Sequence, residues 1–304
     1  MQKTDLIITG SLAFDTVKTR DEQRDRVLGG AAVYASVAAA KFCRPGIVSI
    51  AGMDFPDEYR GLLTGCGVDI TGLVTGSGET FSWSGSYEAD TNEAVTLDTR
   101  LNVFSDFDPR LPDEYKSAES ALLGNLDPAL QLQVLGDNPG LKFTACDTMN
   151  FWIEGAPELL REVFGKVSVI FINEKEASMF TGERSLIPSG QRLLEYGPEA
   201  VIIKLGKYGA AGFSRDGDVF LIPCVPLDYD VVDPTGAGDS FAGSFMGYLA
   251  PKSRVTFGDI KQAMLIGTVV AAHTISGFSL ERLMEPDRSQ LMREAALFRR
   301  CFAI

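Results

Sequence analysis

The sequence predicts an α/β protein in which a central, mostly parallel β-sheet lies between layers of helices. Short apolar runs rich in β-branched residues alternate with helical stretches along most of the 304 residues, which is typical of this class. With 45% hydrophobic and 23% charged residues, the chain is able to bury one large core. Between 80 and 104 the pattern changes to alternating polar and aromatic residues, which predicts two strands outside the main sheet.

The composition excludes several classes of protein. The formal net charge is -13, so a nucleic acid or an anionic membrane is an unfavourable partner. The five cysteines are far apart and form no C-x-x-C pair, which predicts a reducing compartment and no zinc site. His273 is the only histidine, so a His-rich metal centre is disfavoured. The N-terminal apolar run is too short for a signal peptide and no run is long enough to span a membrane, so we expect a cytoplasmic protein.

The first strand is predicted from Leu6 to Gly10, an apolar run that ends in small residues. Asp15 follows this strand after a few residues. Ligands of open α/β sheets collect at the carboxyl ends of the strands, so this carboxylate is placed to bind hydroxyl groups of a substrate. A solvated loop aspartate is the alternative.

Gly29 and Gly30 open the first predicted helix. The charged segment 16–28 before them predicts an exposed hairpin, and the small residues after them predict a closely packed helix. Paired glycines let a helix begin directly beside a ligand, but a plain tight turn explains them equally well.

The segment 80–106, together with 13–28, is predicted to form a small lid. An ordinary surface hairpin on the main sheet is the alternative. A lid that excludes water would matter to an enzyme that transfers phosphoryl groups, because water would otherwise hydrolyse them. The β-α alternation then resumes, and Asp147 and Asn150 follow a strand at the edge where ligands are expected.

Asn173 and Glu176 follow the strand predicted from Lys166 to Ile172. Because they are three residues apart at a helix start, both side chains can face one point beyond the strand. Such an oxygen pair suits Mg²⁺, which takes few protein ligands and keeps several waters. A capping box, in which each side chain bonds the other residue's amide, is the alternative.

A glycine-rich turn, K-L-G-K-Y-G, ends the strand predicted from Ala200 to Leu205. Gly206 and Gly209 would let the backbone approach the phosphates of a nucleotide, and Lys204 would supply a local cation in an acidic protein. A β-hairpin with glycine turns is the alternative.

The run D-P-T-G-A-G-D-S-F, which begins at Asp233, leads from a tight glycine turn into a helix. The first amides of a helix have no internal partner and lie at its positive end, so Gly236, Ala237 and Gly238 form a site for an oxyanion. Asp239 would repel that anion unless it had a role there, and a base that takes the proton of an attacking hydroxyl has such a role. A helix start stabilised by an aspartate in its first turn is the alternative.

This run resembles the C-terminal signature of the PfkB, or ribokinase-like, carbohydrate kinases. The resemblance implies a ribokinase-like three-layer α/β/α sandwich, formed as a single kinase domain over residues 1–304 with the small β-sheet as its lid. Further elements that resemble the family occur in the family's order at Asp15, Gly29–Gly30, Asn173 and Glu176, and Lys204–Gly209.

The resemblance also implies roles for individual residues. Asp239 would be the catalytic base, and the amides of Gly236–Gly238 would stabilise charge on the transferred phosphoryl group. ATP and Mg²⁺ are the implied cofactors, and some members of the family bind a monovalent cation such as K⁺ near the position of Gly277. The substrate would contact Asp15, Gly29, Gly30 and Tyr34, the nucleotide would contact Asn173, Lys204, Gly206, Gly209 and Thr235, and the metal would contact Glu176.

The chain departs from the ribokinase pattern G-G-K-G-A-N at Tyr34, which stands where that pattern has its sugar-binding Asn. Ribose itself is therefore disfavoured, and we expect a kinase for a small sugar or sugar-like molecule. A nucleoside kinase, in which Phe81, Trp83 or Tyr87 of the lid stacks on a base, is the alternative. A sensor that binds a sugar or nucleotide without turnover is another. In many members the lid supplies a dimer contact, which predicts a homodimer.

Two other classes of nucleotide-binding protein are disfavoured. A Rossmann dehydrogenase requires G-x-G-x-x-G after an early strand, whereas the G-A-G-D-S-F of this chain comes late and lacks the third glycine. The Walker sequence G-x-x-x-x-G-K-[ST] does not occur, which disfavours a P-loop kinase. The kinase interpretation requires Asp15 and Asp239 to meet at one site.

Overall fold

The computed structural model of the chain describes residues 3–87, 94–226 and 231–302. Strands and helices alternate through these residues as predicted. The strands are Leu6–Thr9 (β1), Ala13–Lys18 (β2), Gln23–Gly29 (β3), Pro45–Ala51 (β4), Asp69–Thr75 (β5), Ser82–Ser86 (β6), Val95–Arg100 (β7), Ser120–Leu123 (β8), Phe143–Cys146 (β9), Val169–Asn173 (β10), Ala200–Lys204 (β11), Ala210–Ser214 (β12) and Val219–Ile222 (β13). The helices are Ala31–Ala39 (α1), Asp57–Gly65 (α2), Pro128–Asp137 (α3), Asn150–Gly155 (α4), Pro157–Phe164 (α5), Glu174–Thr181 (α6), Leu186–Leu194 (α7), Ala237–Leu249 (α8), Phe257–Thr274 (α9), Glu281–Met284 (α10) and Arg288–Arg299 (α11).

The main sheet has the strand order β13-β12-β11-β10-β9-β8-β1-β4-β5 within the described residues. All neighbours from β11 to β5 pair in parallel, and only β12 and β13 add in antiparallel fashion. Helices cover both faces, because the crossover between parallel strands must return the chain along one face or the other. The predicted three-layer α/β/α class is therefore confirmed.

A second, smaller sheet forms beside the main one, with the order β3-β2-β6-β7. Strands β2 and β6 pair in parallel, and the other neighbours pair in antiparallel fashion. The hairpin predicted in 16–28 supplies β2 and β3 of this sheet, and the two strands predicted between 80 and 104 are β6 and β7. Together they form the predicted lid. Part of the turn between β6 and β7, at 88–93, lies outside the described residues.

Alternate side chains of the buried strands face opposite layers of helices. Leu6 and Ile8 of β1 join a core with α1, α8 and α9, whereas Ile7 joins a core with α3, α5 and the far face of the sheet. This two-sided burial explains why the central strands are apolar without interruption. Among the helices of the described residues, none is both long and apolar enough to cross a lipid bilayer.

Glycines on α8 let that helix lie very close to α1. A Cβ on Gly243 would lie 2.1 Å from the carbonyl oxygen of Ala35, and one on Gly247 would lie 2.8 Å from Cα of Ala39. The contacts advance along both helices together, so the two helices run in the same direction. Their first turns and their positive ends therefore lie side by side.

Because the backbones of α1 and α8 are in contact, we expect Gly243→Ala to force the two helices apart. The free energy of unfolding should fall by about 1–3 kcal/mol, the usual cost of overpacking, and chemical denaturation would measure it. Gly61→Ala in α2 is the matched control, since a Cβ there meets nothing within 4 Å. That variant should gain roughly 0.5–1 kcal/mol from lost backbone freedom in the unfolded chain. Equal stability of the two variants would contradict the close packing of α1 and α8.

Candidate active site

Neighbouring strands of the main sheet end at one edge, where polar residues gather. Asp147 directly follows β9, and Asn173 and Lys204 are the last residues of β10 and β11. The register pairs Asn173 with Lys204. Because these strands are parallel and adjacent, residues far apart in the sequence meet at the carboxyl edge.

Helix α8 begins at this edge with a glycine in the left-handed region. Gly236 has φ 76° and precedes Ala237, the first helical residue. The amide of Ala237 donates to the carbonyl oxygen of Pro234 at 3.2 Å, whereas the amides of Gly236 and Gly238 donate to no acceptor within the described residues. Two unsatisfied amides at the positive end of a 13-residue helix can hold an oxyanion.

Aromatic packing fixes α8 against the sheet. The rings of Phe241 and Phe245 lie edge-on to Phe171 of β10, with centroids 6.1 Å and 5.1 Å from it. Each such pair stabilises by about 0.5–1.5 kcal/mol beyond the area buried. The start of α8 is thereby held in one place relative to the strand ends.

Asp239 lies half-buried in the first turn of α8. Burial and the nearby charge of Asp147 raise the pKa of its carboxyl group to about 6, while the ammonium of Lys204 acts in the opposite direction. The group is thus mostly ionised at neutral pH but is a stronger base than a solvated aspartate. This combination suits a residue that accepts a proton during turnover.

Asp15 lies in the lid strand β2 and is only 4% exposed. Its carboxylate fills the space beside Gly29, where an added Cβ would lie 1.9 Å from Oδ2. Burial, followed by the charges of Asp233 and Asp239, raises the pKa of Asp15 to about 7. The charge of the α8 carboxylate thus acts on the lid carboxylate, which supports their assignment to one site.

The two glycines before α1 have different reasons to be glycine. Gly29 leaves room for the Asp15 carboxylate, whereas Gly30 has φ 96° and lies against the backbone of 11–13. This pair therefore does more than form a tight turn, because it brings a buried carboxylate to the start of a helix.

Tyr34 occupies the space between these groups. Its ring packs on Gly236, where an added Cβ would lie 2.4 Å away, and its buried hydroxyl has no hydrogen-bond partner among the described residues. Burial and the charges of Asp15 and Asp233 raise its pKa well above the ordinary value for tyrosine. The hydroxyl is therefore a neutral donor within reach of the charges of Asp15, Asp233 and Asp239.

Three aromatic residues of the lid were considered for stacking on a base, and Tyr87 is the one that forms a hydrogen bond with the segment before α8. Its hydroxyl lies 3.1 Å from Oγ1 of Thr235, just before α8. Phe81 instead packs on Phe104, with ring centroids 5.5 Å apart. Trp83 is half-buried and lies opposite Asp15 in the register of β2 and β6, so both side chains point to the same face of the lid.

Asn173 and Glu176 form the capping box that was the alternative to a metal site. Asn173 Oδ1 accepts the Glu176 amide at 2.8 Å, and Glu176 Oε2 accepts the Asn173 amide at 2.9 Å. The described residues contain no cluster of three or more His, Cys, Asp or Glu side chains arranged to hold a metal. Mg²⁺ would thus fit here only as a mostly hydrated ion that the protein contacts through few oxygens.

The turn after β11 holds Gly206 and Gly209. Gly209 has φ 100°, and a Cβ on it would lie 1.9 Å from the carbonyl oxygen of Ile222 in β13. A need for space against the neighbouring strand thus accounts for this glycine. Lys204, in contrast, reaches α8, since a Cβ on Gly238 would lie 3.3 Å from its Nζ.

Two polar residues belong to the site although the sequence singled them out weakly or not at all. Asp147 accepts a hydrogen bond from Lys204 at 2.6 Å, and Asp233 is 1% exposed and accepts the amide of Thr235 at 2.9 Å. The position of Asp147 directly after a strand was a usable signal. An open groove elsewhere, at the amino-terminal ends of β1, β4 and β5, is lined by residues such as Lys41 and Asp69 and by none of the residues above.

The raised pKa of Asp15 predicts a pH-dependent stability. A carboxyl group whose pKa rises on folding from about 4 to about 7 stabilises the fold fully below pH 4, and this contribution is lost as the pH rises to 7. We expect Asp15→Asn to remove this loss, so that the variant is more stable than wild type at pH 8 by about 2 kcal/mol or more. Denaturant unfolding at pH 5 and pH 8 would test this, and a variant less stable at pH 8 would contradict it.

Comparison with known proteins agrees with the fold. Residues 3–285 match the model of the pfkB family carbohydrate kinases. The cytidine kinase of Thermococcus kodakarensis is 31% identical over 247 residues, which are 80% of this chain and 87% of that protein.

Two solved structures share the fold at low sequence identity. The nucleoside kinase of Burkholderia thailandensis in complex with inosine superimposes with a TM-score of 0.78 and 20% identity, covering 98% of this chain and 97% of that one. The ribokinase of Cryptococcus neoformans in complex with ADP gives a TM-score of 0.74 and 19% identity, covering 96% and 99%. With a family match over nearly the whole length, a ribokinase fold and a lid that brings a carboxylate to the start of α1, the chain belongs to the pfkB family of carbohydrate kinases, which phosphorylate hydroxyl groups.

Proposed function

We propose that this chain transfers the γ-phosphoryl group of ATP to a hydroxyl group of a nucleoside. The observation that carries the phosphoryl transfer is the meeting of Asp15 from the lid with Asp239 and the free amides of Gly236 and Gly238. One carboxylate is placed to hold a sugar hydroxyl, and the other is placed to deprotonate one beside a site for an oxyanion. Neither function alone would require one carboxylate beside the start of α1 and another in the first turn of α8.

The chain's own residues would act as follows. Asp15 accepts hydrogen bonds from substrate hydroxyls and fixes the sugar under the lid. Asp239 accepts the proton of the attacking hydroxyl as its oxygen bonds to phosphorus and the bond to the leaving ADP oxygen breaks. The amides of Gly236 and Gly238 stabilise the charge on the transferred group without having to reorganise.

The residues present fit the expected cofactors. The helix start and the Lys204 ammonium fit the phosphates of ATP, and the Asn173–Glu176 pair fits a hydrated Mg²⁺, which when bound neutralises phosphate charge. Oδ2 of Asp233 is buried without a hydrogen-bond partner among the described residues, so a monovalent cation such as K⁺ fits beside it. A homodimer through the lid stays a prediction.

Two observations favour a nucleoside over a free sugar as the acceptor. The similar cytidine kinase covers most of the chain at 31% identity. In addition, Trp83 lies opposite Asp15 in the register of the lid, and its indole packs on Gly85 and donates to Thr96 Oγ1 at 3.3 Å, so a fixed aromatic ring is present on the face of the lid that carries Asp15. Tyr34 replaces the amide of the ribokinase pattern with an aromatic ring and a single hydroxyl, which alters the pocket for a free pentose.

An assay of ADP release with ATP and Mg²⁺ tests this proposal. Cytidine, uridine, adenosine and inosine should be compared with ribose, fructose, sugar acids and sugar phosphates. We expect a nucleoside to give a kcat/KM at least about 10²-fold above any free sugar, because the base contributes binding energy that a free sugar lacks. Turnover of a free sugar at the higher rate would select the sugar kinase instead. Binding of nucleosides without release of ADP would select a sensor.

Trp83→Ala tests the stacking directly. We expect kcat/KM for the nucleoside to fall roughly 5- to 150-fold, since stacking of a base on an aromatic side chain contributes about 1–3 kcal/mol. Residual turnover of ribose by the same variant is the internal control and should not change. An equal loss for both acceptors would mean that the indole supports the lid and does not read the base.

A further inference from the structure

Asp147 is held in one orientation by contacts on every side. Its Oδ1 accepts the amide of Thr148 at 2.9 Å, and its Oδ2 accepts Lys204 Nζ at 2.6 Å. The buried side chain of Gln131 donates to the Asp147 carbonyl oxygen at 3.0 Å and to that of Gly124 at 2.9 Å, which joins the ends of β9 and β8. The carboxylate therefore has little freedom to follow a moving partner.

Lys204 reaches from β11 to the first turn of α8, where its Nζ lies 3.3 Å from the position of a Cβ on Gly238. A cation at the positive end of a helix is electrostatically unfavourable. Only 22% of the Lys204 side chain is exposed, so water compensates little of this cost. The Asp147 carboxylate, 8% exposed, supplies the compensating charge and draws the ammonium to this place.

This arrangement has a consequence for phosphate binding. An oxyanion bound by the amides of Gly236 and Gly238 would meet the Lys204 ammonium in the same turn of the helix. Without Asp147, the carboxylates that still attract Lys204 are Glu176 and Asp239, the proposed base. A lysine bonded to Asp239 would occupy the oxygen that must accept the proton.

We propose that Asp147 is a positioning residue that holds Lys204 at the start of α8, where the ammonium contacts the transferred phosphoryl group and leaves Asp239 free to accept a proton. The proposal rests on the kinase function proposed above. It assigns Lys204 to the reacting phosphate rather than to a general role beside the nucleotide, and it assigns to Asp147 a role that neither the motifs nor the comparisons give.

The charges around Asp239 make the proposal testable through pH dependence. Burial and Asp147 raise the pKa of Asp239, whereas Lys204 lowers it. Glu176 also lies near enough to act on Lys204, and Asp15 of the lid lies near enough to be affected by Asp239. Removing Asp147 and removing Lys204 should therefore shift the pKa of the base in opposite directions.

The experiment measures kcat/KM for ATP against pH at saturating acceptor, for wild type, Asp147→Asn and Lys204→Met. On the acid side of the pH profile (the acid limb), kcat/KM of wild type should fall with a midpoint near pH 6, because catalysis requires ionised Asp239. We expect Asp147→Asn to move this limb down by roughly 1 pH unit and Lys204→Met to move it up by a similar amount. Lys204→Met should also lower kcat roughly 10²- to 10³-fold, as loss of a group that stabilises the transferred phosphate does.

Two further variants keep the test decisive. Asp147→Glu retains the charge and should restore the wild-type acid limb in part, which loss of an inert structural contact would not predict. Lys204→Met leaves the carboxylates of Asp147 and Asp239 without a nearby cation, and this variant could fail to fold. The double variant Asp147→Asn/Lys204→Met removes both charges of the ion pair. The acid limb of its pH profile should lie between those of the two single variants. Lys142→Met, which breaks an exposed ion pair with Glu119, is the matched control and should shift nothing.

Shifts of the acid limb in the same direction, or no shift in either single variant, would overturn this role of Asp147. Such a result would leave the proposed function intact, provided that wild type phosphorylates a hydroxyl and Asp239→Asn does not. Failure of wild type to release ADP with any acceptor would instead overturn the proposed function.

Discussion

Asp239→Asn should lose roughly 10²- to 10⁴-fold in kcat, the usual contribution of a general base, while its affinity for ATP stays near that of wild type. The carboxylate is the group that accepts the proton, and an amide of nearly the same shape cannot. The coupled release of ADP measures the loss, and titration calorimetry with a non-hydrolysable ATP analogue measures the binding. A loss in kcat without a loss in nucleotide affinity is the pattern expected of a group that acts only in the transition state.

Stability separates this result from simple unfolding. The pKa of Asp239 is raised on folding, so its ionised form costs stability at neutral pH, and the variant should be at least as stable as wild type. Asp137→Asn, an exposed substitution at the end of α3, is the matched control and should keep full turnover. A folded Asp239→Asn variant with near-wild-type kcat would remove Asp239 from the mechanism.

Gly236→Ala should abolish most activity and also destabilise the fold. The residue has φ 76°, and the added Cβ would lie 2.4 Å from the ring of Tyr34. The left-handed backbone costs an alanine about 1 kcal/mol and the overpacking about 1–3 kcal/mol more. Because relief of the clash must move either the Gly236 amide or the Tyr34 ring, we expect kcat to fall by at least roughly 10²-fold, as for other losses of a preorganised donor.

Gly217→Ala is the control for the backbone term alone. Gly217 has φ 90°, but a Cβ on it meets nothing within 4 Å, and it lies in the turn between β12 and β13. This variant should lose about 1 kcal/mol of stability and no activity. If Gly236→Ala also lost only about 1 kcal/mol of stability and kept its activity, the turn before α8 would not bind the transferred phosphoryl group.

Local patterns in the sequence were sufficient to predict most of the fold. The strand ending at Lys204 and the helix that follows Gly236 were predicted within one or two residues, because apolar runs and glycine turns are encoded by neighbouring residues. The lid was predicted because its alternating pattern differs from that of the buried parallel strands. The capping box at Asn173 shows the limit of such patterns, since one local spacing served both a structural and a functional interpretation.

The contacts between distant segments could not be predicted in this way. Asp147 had the position of a functional residue but not the spacing of a known motif, and only its 2.6 Å contact with Lys204 led to the role proposed for it. Tyr87 was considered for stacking on a base, and only the structure shows that its hydroxyl lies beside Thr235. In both cases the partners are far apart in the sequence, and their meeting depends on strand order and on how the lid packs.

The sequence by itself was sufficient to propose an oxyanion site beside a base at the start of α8, because two glycines, a helix start and an aspartate lie within a few consecutive residues and need no distant partner. Only the tertiary structure decided which charges surround that base. Electrostatic interactions depend on distance in space and on burial, and the parallel sheet brings Asp147, Lys204 and Asp239 together from three separate segments.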